Sequence, residues 1–302
     1  MENSILKIDK LSKSYKTIKA VNELSLDVKE RMVFGILGPN GSGKTTTLGM
    51  LLGVINPQSG TYSWFDNGTK DANRKRIGSL LETPNFYPYL TAVQNLEISA
   101  KIKGVSNPSE EISEVLKTVD LFARKDSKFS TYSLGMKQRL AIAATLLGDP
   151  EVLVFDEPTN GLDPQGIAEI RELIIDIGKK GKTILIASHI LDEIEKVCSH
   201  CAILKEGNLV RTGTISEIIG NQESTLIKLS TVNLEDIKKC IDDDSGISLY
   251  KDLGDKIVIS VSKERNTSEI NKYFFDKGIV LSELSVYNES LENQFLEIIK
   301  KS

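Results

Sequence analysis

Eight consecutive residues, Gly38-Pro39-Asn40-Gly41-Ser42-Gly43-Lys44-Thr45, constrain this chain more than any other stretch. They match G-x-x-x-x-G-K-[ST], a pattern that requires a strand before it and a helix after it. The strand is supplied by the continuous apolar run from Val33 to Leu37. Glycines let the backbone wrap an anion with its N–H groups. The helix that opens near Lys44, with Thr45 and Thr46 in its first turn, adds the positive end of its dipole. Lys44 is placed to reach the β- and γ-phosphates of a nucleotide, and the Thr45 hydroxyl to hold Mg²⁺. A flexible glycine turn is the plain alternative. A chance match in a chain of 302 residues is on the order of one in a hundred, which favours the phosphate loop.

Around that loop, residues 1 to about 220 alternate short apolar strands with longer helical stretches, the rhythm of an α/β fold. Leu6, Ile8 and Leu11, then Leu24, Leu26 and Val28, alternate with polar residues as half-buried strands do. Residues of about 88–148 show helical spacing, as in Val115, Val119 and Phe122, and read as a helical insertion. Glu151–Phe155 and Thr183–Ala187 read as further buried strands, and Gly207-Asn208 as the turn of a hairpin. From 221 to 302 the order βαββαβ predicts a small α+β, ferredoxin-like domain with a closing helix at Leu291–Ile299. Its last strand is expected over Val280–Val286.

The net charge of −4 offers no basic field for nucleic acid, so none is expected as a partner. No apolar run approaches the length that spans a bilayer, and no signal-peptide pattern opens the chain. Three cysteines make no disulfide framework, which points to the cytoplasm. Service to a membrane would then require docking on a separate membrane protein.

A second acidic element completes a hydrolytic site. Val152-Leu153-Val154-Phe155 delivers Asp156 and Glu157 at the C-terminal end of a strand, where open α/β sheets bind ligands. Asp156 suits the Mg²⁺ shell; Glu157 suits a general base or water-positioner for attack on the γ-phosphate.

Pro158-Thr159-Asn160-Gly161-Leu162-Asp163-Pro164, directly after the acidic pair, resembles the ABC ATPase family. Tyr132-Ser133-Leu134-Gly135-Met136-Lys137-Gln138-Arg139 is similar to that family's signature motif and the helix after it, and Gly161-Leu162-Asp163 to its D-loop. His189 stands where the family carries its switch histidine, and Tyr15 where an aromatic stacks on adenine. Taken alone, His189 reads as a strand-end histidine and Ser133 as a plain helix cap. The resemblance spans roughly residues 5–220. It implies a P-loop NTPase fold with a RecA-like sheet, an antiparallel β-subdomain and a helical subdomain. It implies ATP and Mg²⁺ as cofactors and a head-to-tail homodimer. Ser133, Leu134, Gly135 and Met136 of one subunit then face ATP held by the other. It also implies a separately encoded permease, with the chain peripheral on the inner face of the cell membrane.

Two departures narrow the resemblance. The usual Leu-Ser-Gly-Gly-Gln signature reads Ser133-Leu134-Gly135-Met136 here, and the loop residue that is ordinarily Gln is Glu82. A carboxylate accepts hydrogen bonds only and adds negative charge beside Mg²⁺. Together the departures resemble the bacitracin-resistance and lantibiotic-immunity branch, which implies export of an antimicrobial peptide. The alternatives are another ABC-2-type exporter of lipid, polysaccharide or drug, or a soluble ABC ATPase. Cys198-Ser199-His200-Cys201 supplies at most three metal ligands, short of the four a structural zinc takes, and reads as packing.

Overall fold

Three unbroken apolar runs become central strands: Val33–Leu37, Val152–Asp156 and Thr183–Ser188. Strands without polar alternation need cover on both faces, and a parallel sheet flanked by helices supplies it. The computed structural model describes residues 3–65, 70–81, 85–219, 224–242, 246–262, 265–287 and 290–301. In it the runs lie within a six-stranded sheet. The order is Ile77–Leu80, Val152–Asp156, Thr183–Ser188, Val33–Leu37, His200–Lys205 and Asn208–Thr214. Only the last pair is antiparallel. Leu37 lies beside Ser188, and Asp156 beside Ala187. The chain therefore leaves this sheet for Gly38, Glu157 and His189 at one edge, and this register is what builds the site.

A separate antiparallel sheet of Ile18–Lys29, Ser4–Tyr15 and Ser59–Trp64 packs its apolar face into the same core. Its register shifts between Ile8 and Leu11, where Lys10 and Glu23 take positive φ, as bulges do. Between Ile77–Leu80 and Val152–Asp156 the chain is helical. Ala92–Lys103 starts on a Thr91/Gln94 capping box and ends on a left-handed Gly104. Pro108–Thr118 starts on proline. Leu134–Leu146 is capped by Ser133.

The far end of Leu134–Leu146 is also held. The half-buried Lys103 ammonium donates to the carbonyls of Ala144, Thr145 and Leu147 at 2.9, 2.9 and 3.0 Å. Glu111 accepts from the Gly148 N–H. Those carbonyls would otherwise be orphaned at a helix terminus. Burial pulls the Lys103 pKa down to about 8.

The chain divides into two compact units, Met1–Ile215 with Phe295–Ser302, and Ser216–Gln294. The second holds an antiparallel sheet ordered Ile247–Asp252, Ile257–Ser262, Ser224–Ser230, Glu283–Val286. Helices Leu234–Asp242 and Thr267–Asp276 connect its strands, burying Ile237, Ile241, Ile270 and Phe274 against Ile227, Ile257 and Ile259. This is the split βαβ, ferredoxin-like topology expected from the strand and helix order.

Two local expectations need correction. The hairpin turn falls on Glu206-Gly207, both at positive φ, rather than on Gly207-Asn208. Two consecutive positive φ angles are what a type I′ turn requires. The final strand is shorter than Val280–Val286 and begins at Glu283. The carbonyl of Val280 instead accepts from the Thr231 hydroxyl at 2.8 Å.

Candidate functional site at the phosphate loop

The loop is shaped by close backbone approach. A Cβ on Gly38 would collide with the Leu204 carbonyl and the Ser42 side chain, and one on Gly43 with the Ala20 carbonyl. Gly41 and Gly43 also take φ of 80° and 103°, which L side chains rarely adopt. Gly41 faces open space, so the cradle is closed behind and accessible in front. The Ser42 N–H donates to Pro39 at 3.1 Å, and the Gly207 N–H to the Ser42 carbonyl at 3.1 Å. Asn22 in turn donates to Gly207 at 2.8 Å. Gly207 thus buttresses the loop from 165 residues away in sequence, a support that no local pattern announces.

Helix Lys44–Leu51 starts at Gly43 without a side-chain cap and without an acid in its first turn. Its first amides keep their positive end for an anion. The Ser42 hydroxyl is buried with no hydrogen-bond partner among the described residues. Thr45 is exposed at the helix mouth and Thr46 half-buried, while Pro39 and Asn40 lie exposed on the loop's outer turn. Lys44 is buried, and its ammonium donates to the Gly38 carbonyl at 2.8 Å and the Pro39 carbonyl at 3.3 Å. A glycine cradle, an unsatisfied buried hydroxyl, an uncapped helix end and a tethered ammonium together fit a polyphosphate.

Strand Val152–Asp156 brings the acids to this cradle. Asp156 is buried at the strand end. Glu157 turns at φ 50°, an unfavourable left-handed conformation for a residue with a Cβ. Its N–H donates to the Ala187 carbonyl at 2.9 Å, which holds that turn. One Glu157 oxygen stands 3.5 Å from the Lys44 ammonium, and the other 2.8 Å from His189 Nδ1. The His189 N–H approaches the same carboxylate at 3.4 Å. Ser188 shapes the histidine turn by accepting from the Ile190 N–H at 3.0 Å. Lys44, Glu157 and His189 therefore form one continuous contact chain.

Other expected residues fall into three groups. Tyr15 pairs with Ile18 at the tip of a hairpin, exposed, with the Lys13 ammonium 5.6 Å from its ring centroid. Ala20, two residues past Ile18, is the residue pressed against Gly43, so the tip stands beside the loop. Ser133, Leu134, Gly135 and Met136 open a helix elsewhere. The Ser133 hydroxyl accepts from the Met136 N–H at 3.3 Å, Leu134 is half-exposed and Gly135 meets open space. Leu134 lies next to Gly161, and the Asp163 carboxylate caps helix Pro164–Lys179 by accepting from Gly166 at 2.9 Å. Glu82 lies outside the described residues. The strand that precedes it, Ile77–Leu80, pairs in parallel with Val152–Phe155.

Cys198 and Cys201 are buried, and Cys201 packs against Gly35 of the central sheet. Burial pushes the Cys201 thiol up to about 12 and the Cys198 thiol well above its usual range. His200 contacts Ser199 at 3.0 Å. No group of His, Cys, Asp and Glu among the described residues is arranged to hold a metal ion. Both thiols thus pack inside the fold.

Comparison with known proteins agrees with this geometry. Residues 21–160 match the family model for ABC transporters. The chain is 40% identical to the bacitracin transport ATP-binding protein BcrA of Bacillus licheniformis, over 98% of each sequence. It is 35% identical to the protein of that name from Enterococcus faecalis, over 98% of this chain and 96% of that one. Among solved structures it resembles cbiO1 of Clostridium perfringens, part of an ABC transporter complex. The TM-score is 0.65 at 30% identity, covering 72% of this chain and 91% of that one. It also resembles a dimeric ATP-binding cassette in a post-hydrolysis state bound to ADP and Pi. There the TM-score is 0.61 at 27% identity, covering 69% of this chain and 98% of that one. The chain belongs to the ABC transporter family as an ATP-binding subunit, an ATPase that uses ATP with Mg²⁺.

Proposed function

We propose that this subunit powers a separately encoded permease that exports a peptide antibiotic of the bacitracin kind. The ATPase half rests on one observation, the Lys44–Glu157–His189 contact chain at the mouth of the phosphate loop. Lys44 binds the β- and γ-phosphates, with backbone N–H groups from residues 40–46 around them. Glu157 orients the attacking water and accepts its proton. His189, bonded to the same carboxylate, holds Glu157 in place and reads the γ-phosphate. Thr45, Asp156 and Glu82 would supply oxygen ligands for Mg²⁺, which would offset the negative charge of the phosphates during hydrolysis. Tyr15 stacks on the adenine.

Ser133, Gly135 and their neighbours act on ATP held by a second copy. Their support is the exposed helix start and the open space before Gly135. Asp163 positions the loop beside them. In this reading residues 1–220 form the ATPase domain and 221–302 an accessory domain.

No helix among the described residues is long and apolar enough to cross a membrane, so a transport role needs a membrane partner. One surface suits it. Ile102, 82% exposed, lines two grooves of about 290 and 370 Å³ that also share Asn85, Phe86 and Ser99, and Tyr89, 67% exposed, stands against Tyr87 of the second groove. Contiguous exposed apolar surface marks an interaction site. Asn95 fixes its shape by bonding the Tyr87 N–H and three loop carbonyls.

The cargo reading rests on the two bacitracin transport relatives. Deleting the gene should raise bacitracin sensitivity, and restoring it with Ile102→Glu should not rescue, although that purified chain still hydrolyses ATP. Unchanged sensitivity to bacitracin on deletion would overturn the assignment of cargo.

A further inference from the structure

Two loops of the site continue directly into helices. The Asp163 loop leads into Pro164–Lys179, and the His189 turn into Leu191–Val197. These helices meet through one charged pair, with Arg171 Nη1 3.4 Å from Glu193 Oε1. The side chains are 21% and 10% exposed. The second Glu193 oxygen is buried with no hydrogen-bond partner among the described residues. Burial raises the Glu193 pKa, with the Arg171 guanidinium opposing it.

Such a pair is costly. Taking two charges largely out of water often gains no more than packing apolar side chains of similar volume, so the pair is weak evidence of a purely stabilising role. Ligand binding does not explain it either. The cavity against the pair, walled by Thr159, Ile186, Ser188 and Ile194, holds about 10 Å³, room for one water at most. Two of its walls are nonetheless part of the site's own loops. Ser188 sets the histidine turn, and Thr159 follows the Glu157-Pro158 step.

We propose that the Arg171–Glu193 pair is a latch that sets His189, and through it Glu157, in register with the Asp163 loop. Both are positioning residues that touch no substrate. The inference rests on the catalytic reading of Glu157 and His189 given above. If a second copy binds against the Asp163 loop, a rigid connection through this pair carries the change to the histidine turn. Hydrolysis then responds to assembly, while binding of ATP to the phosphate loop does not depend on the pair.

The test is a double-mutant cycle on the full-length chain, with Arg171→Leu, Glu193→Leu, and both together, read as kcat and KM for Mg-ATP hydrolysis. Glu157→Gln is run beside them. Each single variant should lose about tenfold in kcat with KM unchanged. The pair of leucines, which leaves no buried charge but also no link, should stay within about threefold of the single variants, and its return to the parental rate would show that only an unpaired charge was at fault and would overturn the latch. Arg171→Lys, which keeps the charge on a shorter reach, should fall between parent and Arg171→Leu and covers the case in which a leucine variant does not fold. Singles that lower the melting temperature but leave kcat intact would reduce the pair to packing and overturn the latch. Additive losses in the cycle would overturn it as well. Persistent hydrolysis in Glu157→Gln would instead bring down the catalytic reading beneath it.

Discussion

The phosphate-loop edge and the start of helix Leu134–Leu146, to which we assign the two halves of the chemistry, are built in opposite ways. At the loop, contacts are closed within the chain: Lys44 on two carbonyls, Glu157 on Lys44 and His189, Gly207 on Ser42. At the helix start, Ser133 is exposed, Leu134 is half-exposed and Gly135 faces open space. Yet that helix is held firmly at its other end by Lys103 and Glu111. One region is complete in a single copy. The other is an open surface on an anchored helix, which we assign to a second copy.

The largest effects should fall on the closed region. Glu157→Gln should lower kcat by about 10²- to 10⁴-fold, the usual contribution of a positioned base, while a fluorescent ATP analogue still binds. Equal loss of binding would mean Glu157 holds the loop together through Lys44. Next comes His189→Ala, for which about 10- to 100-fold in kcat is expected, given its 2.8 Å contact with Glu157. An unchanged rate would return His189 to an ordinary strand-end histidine.

The open region should respond differently. Gly135→Glu fills open space and meets no atom within its own chain, so folding and ATP binding by the monomer should survive. Hydrolysis should drop at least tenfold, because the new side chain blocks the face offered to a second copy. A fall in melting temperature of more than a few degrees would show instead that Gly135 is needed inside the fold.

A smaller effect tests the anchor of that helix. Lys103 has its pKa depressed to about 8 in the folded chain, from 10.5 when unfolded. Between those values the unfolded state binds more protons, so folding stability rises with pH through that window. The full rise is about 3 kcal/mol at most, reduced by the three carbonyls that favour the charged form. Urea unfolding at pH 8 and pH 10 should show the rise in the parent and not in Lys103→Met. A parallel pH response in both would remove Lys103 from the account.

Legibility in the sequence follows the locality of each feature. Val33–Leu37, Val152–Asp156 and Thr183–Ser188 stand out because burial on both faces demands unbroken apolar runs. The phosphate loop stands out because its chemistry is confined to eight neighbouring residues. Ser59–Trp64 does not, since most of its residues are exposed and its register comes from pairing with Ser4–Tyr15. Ile77–Leu80 is equally obscure, a four-residue strand whose Gly78 is explained by the Thr145 backbone and the Leu153 side chain crowded against it. The support of Gly207 beneath Ser42 and the Arg171–Glu193 pair depend on contacts that spacing does not encode, whereas the cap that Asp163 gives its own helix is local and announced by the Asp-Pro step.

The central claim is that a complete site needs two copies, and sedimentation velocity of the Glu157→Gln chain with Mg-ATP tests it most directly. With hydrolysis blocked, the account predicts an ATP-dependent dimer carrying one ATP per chain, and a monomer when Gly135→Glu is added. A Glu157→Gln chain that binds ATP fully yet stays monomeric, or dimerises regardless of Gly135, would contradict it.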